Sequence, residues 1–119
     1  DYYRRTGVYP IMHALVMREE LHRQHPALAA IIYRACLAAK NKALQQARFS
    51  GAMRYMLPWL YEHLEEMDEI FGNDPWPYGL ERNRATLDLF GQFLVEQKFV
   101  SKPPRLEDLF VAVDESGTQ

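Results

Sequence analysis

The sequence predicts a mainly α-helical chain with one N-terminal strand, and two observations lead to this prediction. Apolar residues recur at helical spacing over three long stretches, which is typical of amphipathic helices. Before them, residues 8–17 (VYPIMHALVM) are rich in β-branched and bulky side chains and are followed by a charged run, which favours a strand. The sequence therefore predicts four to five helices behind a single strand.

Length and composition indicate one globular unit. The chain has 119 residues, of which 48% are hydrophobic, and this is enough to bury a core without metals or disulfides. Fourteen basic residues against sixteen acidic ones give a net charge of −2, which disfavours binding to nucleic acid or to an anionic membrane. The longest apolar run, residues 27–33, is too short to span a bilayer. We expect a soluble domain without nucleic-acid or membrane partners.

The cysteine content limits the disulfide and zinc chemistry that is possible, and the first residues bear on whether the chain is part of a longer protein. Cys36 is the only cysteine, which excludes an internal disulfide and any zinc site that needs two thiolates. The first residues, DYYRRTG, contain no initiating Met and no apolar signal core, and they run directly into an apolar stretch. We expect the chain to be cut from within a longer protein.

The first predicted elements are the strand and a short helix. Pro10 lacks an N–H donor, so it confines the strand to a sheet edge or an irregular start. Residues 18–25 predict a short helix that ends before Pro26, which suits the first turn of the next helix. A lone strand cannot satisfy its own backbone groups. We expect it to pair with a missing N-terminal part of the same protein or with a second copy of the chain.

Three longer helices are predicted to follow. The first spans residues 27–49, and one face of it carries residues at spacings of three and four: Leu28, Ile32, Ala35, Ala39 and Ala43. Late in this helix, cations suit the negative end of its dipole: Lys40, Lys42 and Arg48. A wide apolar stripe predicts the second over residues 59–71, ended by Gly72. Apolar spacing from Leu80 to Leu94 predicts the third helix. The stretch RLEDLF is predicted to form about one further helical turn, and the tail DESGTQ is expected to fray.

His13 is the residue we consider for proton transfer. A histidine on a mostly apolar strand is more often a hydrogen-bonded structural residue, but four neighbours within ten positions suit an anion: Arg4, Arg5, Thr6 and Tyr9. Arginine binds carboxylates through a planar fork. Adjacent residues of an extended chain point to opposite faces, so at most one of Arg4 and Arg5 is expected to face a shared ligand.

Other catalytic and metal-binding patterns are weak. Glu19 and His22 have the spacing of carboxylate-bridged metal helices, but such sites need a second copy of the motif, which the sequence lacks. The sequence contains no glycine-rich phosphate loop, no GxSxG elbow and no HExxH motif. We therefore expect no metal, and spacing alone indicates no function.

The order of residues carries a resemblance that spacing does not. Over nearly all 119 residues, the chain resembles the C-terminal part of the 4,5-dihydroxyphthalate decarboxylase family, in the stretches YYRRTGVYPIMHALVMREEL, MLPWLYEHLEEMDEIFG and DPWPYGLERNRATLDLFGQFLVEQ. The blocks RRTGVYPIMH and DPWPYGLERNRATL are the most specific of these. The chain departs from the family at Lys98-Phe99, where we expect a glycine-containing EQG turn, and over the stretch ARFSGAMRY.

The resemblance implies a two-lobed fold and the position of residues 1–119 within it. The family is similar to the type II periplasmic solute-binding proteins, which are α/β proteins with two lobes and a ligand cleft between them. Residues 1–119 would be a single C-terminal segment of such a protein, divided into a hinge and returning strand (1–17), helices of the first lobe (18–110) and a tail (111–119). The turn that carries Trp76 and Tyr78 would pack against the absent lobe segments or form the rim of the cleft.

The resemblance also implies an activity, the decarboxylation of 4,5-dihydroxyphthalate to 3,4-dihydroxybenzoate and CO2. This chemistry asks for a proton donor and for cations that bind two carboxylates, and it requires no redox cofactor. On chemical grounds, we expect His13 to be the acid and Arg4 or Arg5 to bind a carboxylate. Hydrogen-bond partners would be Thr6 with Tyr9 or Tyr78.

Two other classes of function stay open. A solute-binding receptor for a small aromatic or heterocyclic anion would use the same kind of cleft, and it would be periplasmic, whereas a decarboxylase would be cytoplasmic. A purely helical interaction domain would instead satisfy the backbone of its first twenty residues internally. We expect the isolated chain to aggregate or to form a swapped dimer, and to be inactive because half of any interlobe cleft is missing.

Overall fold

A computed structural model of the chain describes residues 1–49, 51 and 55–115. These residues form six helices: α1 (Tyr2–Thr6), α2 (Glu19–Gln24), α3 (Leu28–Arg48), α4 (Leu60–Phe71), α5 (Leu80–Glu96) and α6 (Leu106–Leu109). Helices α2 to α6 lie where the sequence predicts helices, with bounds that differ by about one residue. None of the helices that the structure describes has the length and hydropathy needed to span a bilayer.

The predicted N-terminal strand is not seen. Residues 7–18 form neither helix nor strand, and no strand occurs in the described ranges 1–49, 51 and 55–115. A strand needs a neighbouring backbone that supplies donors and acceptors. The helices do not supply them, because their amides and carbonyls are already paired within each helix. The two-lobed α/β architecture, which would include polypeptide beyond this sequence, stays a prediction.

A short helix that the sequence did not predict precedes this irregular segment. Helix α1 ends at Gly7, whose backbone is left-handed with φ 67° and whose N–H donates to the Tyr3 carbonyl at 2.7 Å. Glycine adopts this conformation without the steric cost that a Cβ would add. Helix α1 has only five residues, too few for a periodic pattern, and so short a helix is marginal on its own.

The chain divides into two compact units, which we call the terminal unit (residues 1–30 with the residues from 78 onward) and the central unit (residues 31–77). In the terminal unit, Gly91 of α5 is buried beside Pro103 and Pro104. Arg84 of α5 joins α6 through a hydrogen bond of 3.0 Å to Glu107 Oε1. These contacts hold the loop after α5 and the short α6 to the α5 helix.

The central unit contains most of α3 and all of α4. Leu37 of α3 is its buried hydrophobic side chain, and Leu106 is the corresponding residue of the terminal unit, each 7% exposed. No other large hydrophobic side chain among the described residues reaches that degree of burial. The core is therefore smaller than the composition predicts, and polar contacts fix much of the local geometry.

Candidate functional site

All six residues that the sequence predicts for the site belong to the terminal unit: Arg4, Arg5, Thr6, Tyr9, His13 and Tyr78. The first three lie on α1, Tyr9 and His13 lie in the irregular segment 7–18, and Tyr78 lies just before α5. The structure thus places the six residues in one unit. Their catalytic and binding roles stay predictions.

Arg4 and Arg5 occupy consecutive positions on a helix instead of on an extended strand. Successive side chains of an α-helix are about 100° apart around its axis, whereas those of a strand point to opposite faces. Both side chains are exposed. The expectation that only one of them faces a shared ligand rested on an extended backbone, whereas the structure has a helix there.

Thr6 has its hydroxyl engaged in the end of α1. Its Oγ1 donates to the Tyr2 carbonyl at 2.8 Å and accepts from the Val8 N–H at 3.2 Å. A hydroxyl has one proton, so in this conformation Thr6 has none left to donate to a carboxylate. The sequence identified a suitable residue type, but it could not show that the helix end already uses the hydroxyl.

His13 is exposed, and so are the apolar side chains on either side of it. Met12 is 70% exposed and Leu15 is 75% exposed. Catalytic sites exclude most water, because fixed charges and dipoles act more strongly where water does not screen them. A catalytic role for His13 therefore requires additional polypeptide to cover this segment.

The carboxylate of Glu115 lies at the N-terminus of α5. The Leu80 N–H donates to Glu115 Oε1 at 2.6 Å, and Gly79, with φ 109°, leaves room for that carboxylate. Asn83 Nδ2 donates to the Gly79 carbonyl at 2.8 Å. Helix N-termini favour anions because of their unpaired N–H groups and their dipole. The tail was expected to fray, yet Glu115 makes a specific contact; residues 116–119 lie outside the described part of the chain.

The turn that follows α4 is anchored to α3 within the central unit. Lys40 Nζ donates to both carboxylate oxygens of Asp74 at 2.8 Å and to the Trp76 carbonyl at 3.0 Å. Asp74 Oδ1 accepts from the Trp76 N–H at 3.2 Å. Lys40, which we expected to interact with the helix dipole, therefore holds a particular backbone conformation at residues 74–76.

A second cation of α3 holds the start of the same turn. Arg48 Nη2 pairs with Asp68 of α4 and donates to the Asn73 carbonyl at 3.3 Å. The turn is thus fixed at both ends, while the Trp76 side chain stays 53% exposed. The expectation that this turn packs against absent lobe segments or forms the rim of a cleft stays a prediction.

A surface cluster on α5 and α6 contains three groups with shifted pKa values. Arg84 donates to Glu81 at 2.6 and 3.1 Å, and this hydrogen bond holds the pKa of Glu81 below its usual value. The pKa of Glu107 is lowered by its own backbone N–H and then by Arg84, whose own pKa is raised by both carboxylates. Carboxyls with lowered pKa values are ionised at neutral pH, so neither is a candidate proton donor.

The ExxH spacing in α2 does not belong to a metal-binding group of side chains in the described residues. Within the described ranges, no group of three or more His, Cys, Asp and Glu side chains is arranged to hold a metal ion. Glu19, which belongs to the ExxH spacing, instead accepts a hydrogen bond of 3.2 Å from Arg23.

Comparison with known proteins supports a partial relationship to one enzyme. No protein-family model matches the chain. Over 90 residues, the chain is 32% identical to the 4,5-dihydroxyphthalate decarboxylase of Comamonas testosteroni. The match covers 76% of this chain but 27% of the relative, so the chain spans about a quarter of the relative's length. The relationship agrees with the resemblance in the sequence motifs.

Proposed function

We propose that the chain is part of an aromatic carboxy-lyase that converts 4,5-dihydroxyphthalate, or a closely related hydroxylated aromatic acid, to 3,4-dihydroxybenzoate and CO2. The observation that carries the proposal is the 32% identity over 90 residues to a protein named for this decarboxylase activity. The two exposed arginines of α1 support it, because this substrate class carries two adjacent carboxylates.

The chemistry of the substrate determines what the protein has to supply. Direct loss of CO2 would leave an electron pair in the plane of the ring, where the π system cannot delocalise it. Protonation of the carboxylate-bearing ring carbon avoids this, and the hydroxyl para to that carbon donates electron density to the cationic intermediate. The bond to the carboxylate then breaks, CO2 leaves, and the electron pair of that bond restores aromaticity. The enzyme therefore needs an acid beside the ring and cations beside the carboxylates.

The residues that we assign to these tasks belong to the terminal unit, and all but Tyr78 lie in its first part. His13 is the acid, since a histidine exchanges protons near neutral pH. Arg4 and Arg5 are the carboxylate-binding residues, and their positions on α1 let two guanidinium groups contact neighbouring carboxylates. Tyr9 and Tyr78 provide phenolic hydroxyls as hydrogen-bond partners for the substrate.

Additional polypeptide completes this site in our proposal. His13 and both arginines are exposed, and nearly three quarters of the relative lies outside the matched part. We propose that residues 1–17 approach a cleft between two lobes, that residues 18–110 belong to one of these lobes, and that the chain alone is inactive. An uncovered site would leave the charges screened by water.

Incubation of the full-length protein with 4,5-dihydroxyphthalate, with CO2 measured as the product, tests the proposal. We expect stoichiometric CO2 and 3,4-dihydroxybenzoate. Unsubstituted phthalate is the matched control: it has both carboxylates but no para hydroxyl, so it should bind and release no CO2. Binding of 4,5-dihydroxyphthalate without any CO2 would instead identify a solute-binding receptor.

A further inference from the structure

Residues 55–61 expose a concentration of large apolar side chains. The exposed fractions are 41% for Tyr55, 94% for Met56, 57% for Leu57, 71% for Trp59 and 37% for Tyr61. We call these five side chains the 55–61 surface. Aromatic residues and methionine are enriched in the buried centres of protein interfaces, and contiguous exposed apolar patches mark interaction sites.

The backbone at the centre of this surface is strained. Trp59 has a left-handed conformation, with φ 63° and ψ 21°, and it is the N-cap residue of α4 without a side-chain capping hydrogen bond. Asparagine or glycine suits a left-handed backbone better. The left-handed backbone of Trp59 therefore costs conformational free energy. Because the side chain is 71% exposed, it packs little against the described residues. A role in contact with something outside the chain accounts for its presence.

The matched decarboxylase indicates which polypeptide can cover this surface. The chain spans about a quarter of that protein's length, so a longer protein of this kind has further polypeptide that is large enough to bury five side chains.

Charged side chains of α4 lie beside the 55–61 surface in the sequence, and they indicate what kind of partner can bind there. Helix α4 begins directly after Trp59, and its exposed carboxylates are Glu62, Glu65, Glu66 and Glu69. They would repel an anionic lipid surface and attract lysine and arginine side chains. The occupant that fits is an apolar protein groove with a basic rim.

We propose that the 55–61 surface is an intramolecular interface, buried in the longer protein by further polypeptide of the same chain, with Trp59 as its central anchor. The proposal concerns assembly and does not depend on the decarboxylase activity. It distinguishes this surface from the predicted site residues, all of which lie in the terminal unit.

Substitution of Trp59 by asparagine in the longer protein tests the proposal. Asparagine relieves the left-handed backbone strain but removes the anchor, so the urea midpoint should fall. Lys98→Asn is the matched control, because Lys98 is the other described non-glycine residue with positive φ, at 63°. It relieves the same strain without removing an anchor, so it should raise the midpoint.

Oxidative footprinting of Met56 provides a second readout that does not depend on how the isolated chain folds. Met56, which is 94% exposed here, should be oxidised severalfold more slowly in the longer protein than in a peptide spanning the same residues. Oxidation at equal rates, or a rise in the urea midpoint of the longer protein with Trp59→Asn, would show the proposal to be wrong. Protection that appears only in a dimer of the 119-residue chain would assign the surface to a second copy and would also overturn it.

Discussion

Lys40 Nζ lies 2.8 Å from each carboxylate oxygen of Asp74, and the two side chains are only 8% and 20% exposed. The same ammonium group donates to the Trp76 carbonyl, so the ion pair also fixes the backbone of the turn. Exposed ion pairs contribute little to stability, whereas removing one partner of a largely buried pair leaves an uncompensated charge. The pair is therefore the contact that ties residues 74–76 to the middle of α3.

Replacement of Lys40 by methionine should lower the free energy of unfolding by about 3 kcal/mol, because the Asp74 carboxylate keeps its desolvation cost and loses its counter-charge. Urea denaturation followed by far-UV circular dichroism measures the change. Lys42→Met is the matched control: this lysine is exposed on the same helix, and its loss should change stability by less than about 0.5 kcal/mol. Equal effects of the two substitutions would show that the Asp74 contact is not stabilising.

The helices could be predicted from the sequence because their signals are local. Apolar spacing and the Gly72 stop are read within a few residues, and α4 ends at Phe71 as expected. The contacts of Lys40 could not be predicted, since its partner Asp74 is 34 positions away and no periodic pattern joins them. The same reasoning explains Glu115, whose contact with Leu80 spans 35 positions and whose neighbours suggested only a frayed tail.

The strand prediction shows where local propensity is insufficient. Residues 8–17 have the composition of a strand, but a strand forms only where a second backbone is present, and no composition can supply one. For the site, the sequence could select residue types such as His13 and Arg5. It could not show that α1 makes the arginines neighbours on a helix or that the Thr6 hydroxyl is already engaged.

A glycine at position 98 should stabilise the protein by about 1 kcal/mol, because Lys98 has φ 63° and a side chain there is strained. The Phe99 N–H donates to the Leu94 carbonyl at 2.8 Å and the Lys98 N–H to the Val95 carbonyl at 2.9 Å, which is the Schellman pattern that favours glycine. The family resemblance also expects a glycine in this turn.

Thermal or urea unfolding of Lys98→Gly would measure the gain. Gln97→Gly is the adjacent control: its φ of −84° suits any residue, so glycine there should destabilise the protein by roughly 0.5–1 kcal/mol. If both substitutions destabilise, the left-handed conformation at Lys98 carries no strain.

Replacement of Arg84 by methionine should raise the pKa of Glu81 toward its usual 4.5, because the hydrogen bond from Arg84 is the main cause of its lowering. The pKa of Glu107 should rise less, because its own backbone N–H is the larger cause there. NMR titration of the two carboxyl groups measures both shifts. Arg105→Met is the control and should leave Glu81 unchanged.

The same lowered pKa values set the direction of a pH effect. The unfolded chain binds protons at these carboxyls more readily than the folded chain does. The Arg84 contacts therefore stabilise the folded chain fully above pH 4.5, and this stabilisation is lost as pH falls through the lowered pKa values of the folded chain. Arg84→Met should flatten stability against pH in this acidic range. An unchanged slope would show that the cluster does not couple to folding.

On the proposed function, Arg4→Lys and Arg5→Lys in the longer protein should each raise KM for 4,5-dihydroxyphthalate by about tenfold, because an ammonium keeps the charge but loses the two-pronged hydrogen bond to a carboxylate. Steady-state CO2 release measures KM and kcat separately. Arg18→Lys, an exposed arginine just before α2, is the control and should leave KM unchanged. An effect confined to one of the two variants would mean that only that arginine faces the substrate.

On the proposed function, His13→Gln in the longer protein should lower kcat for 4,5-dihydroxyphthalate by about 10²-fold or more, because glutamine keeps the hydrogen bonding and the approximate size but cannot transfer a proton. Substrate binding should be almost unchanged, since the carboxylates are held by other groups. His25→Gln is the matched control, because this exposed histidine at the end of α2 has no role in our proposal. His13→Gln should also lose the part of the pH dependence of kcat that comes from the general acid. A kcat within about a factor of two of the parent would remove His13 from the mechanism and direct attention to acids supplied by the remaining polypeptide.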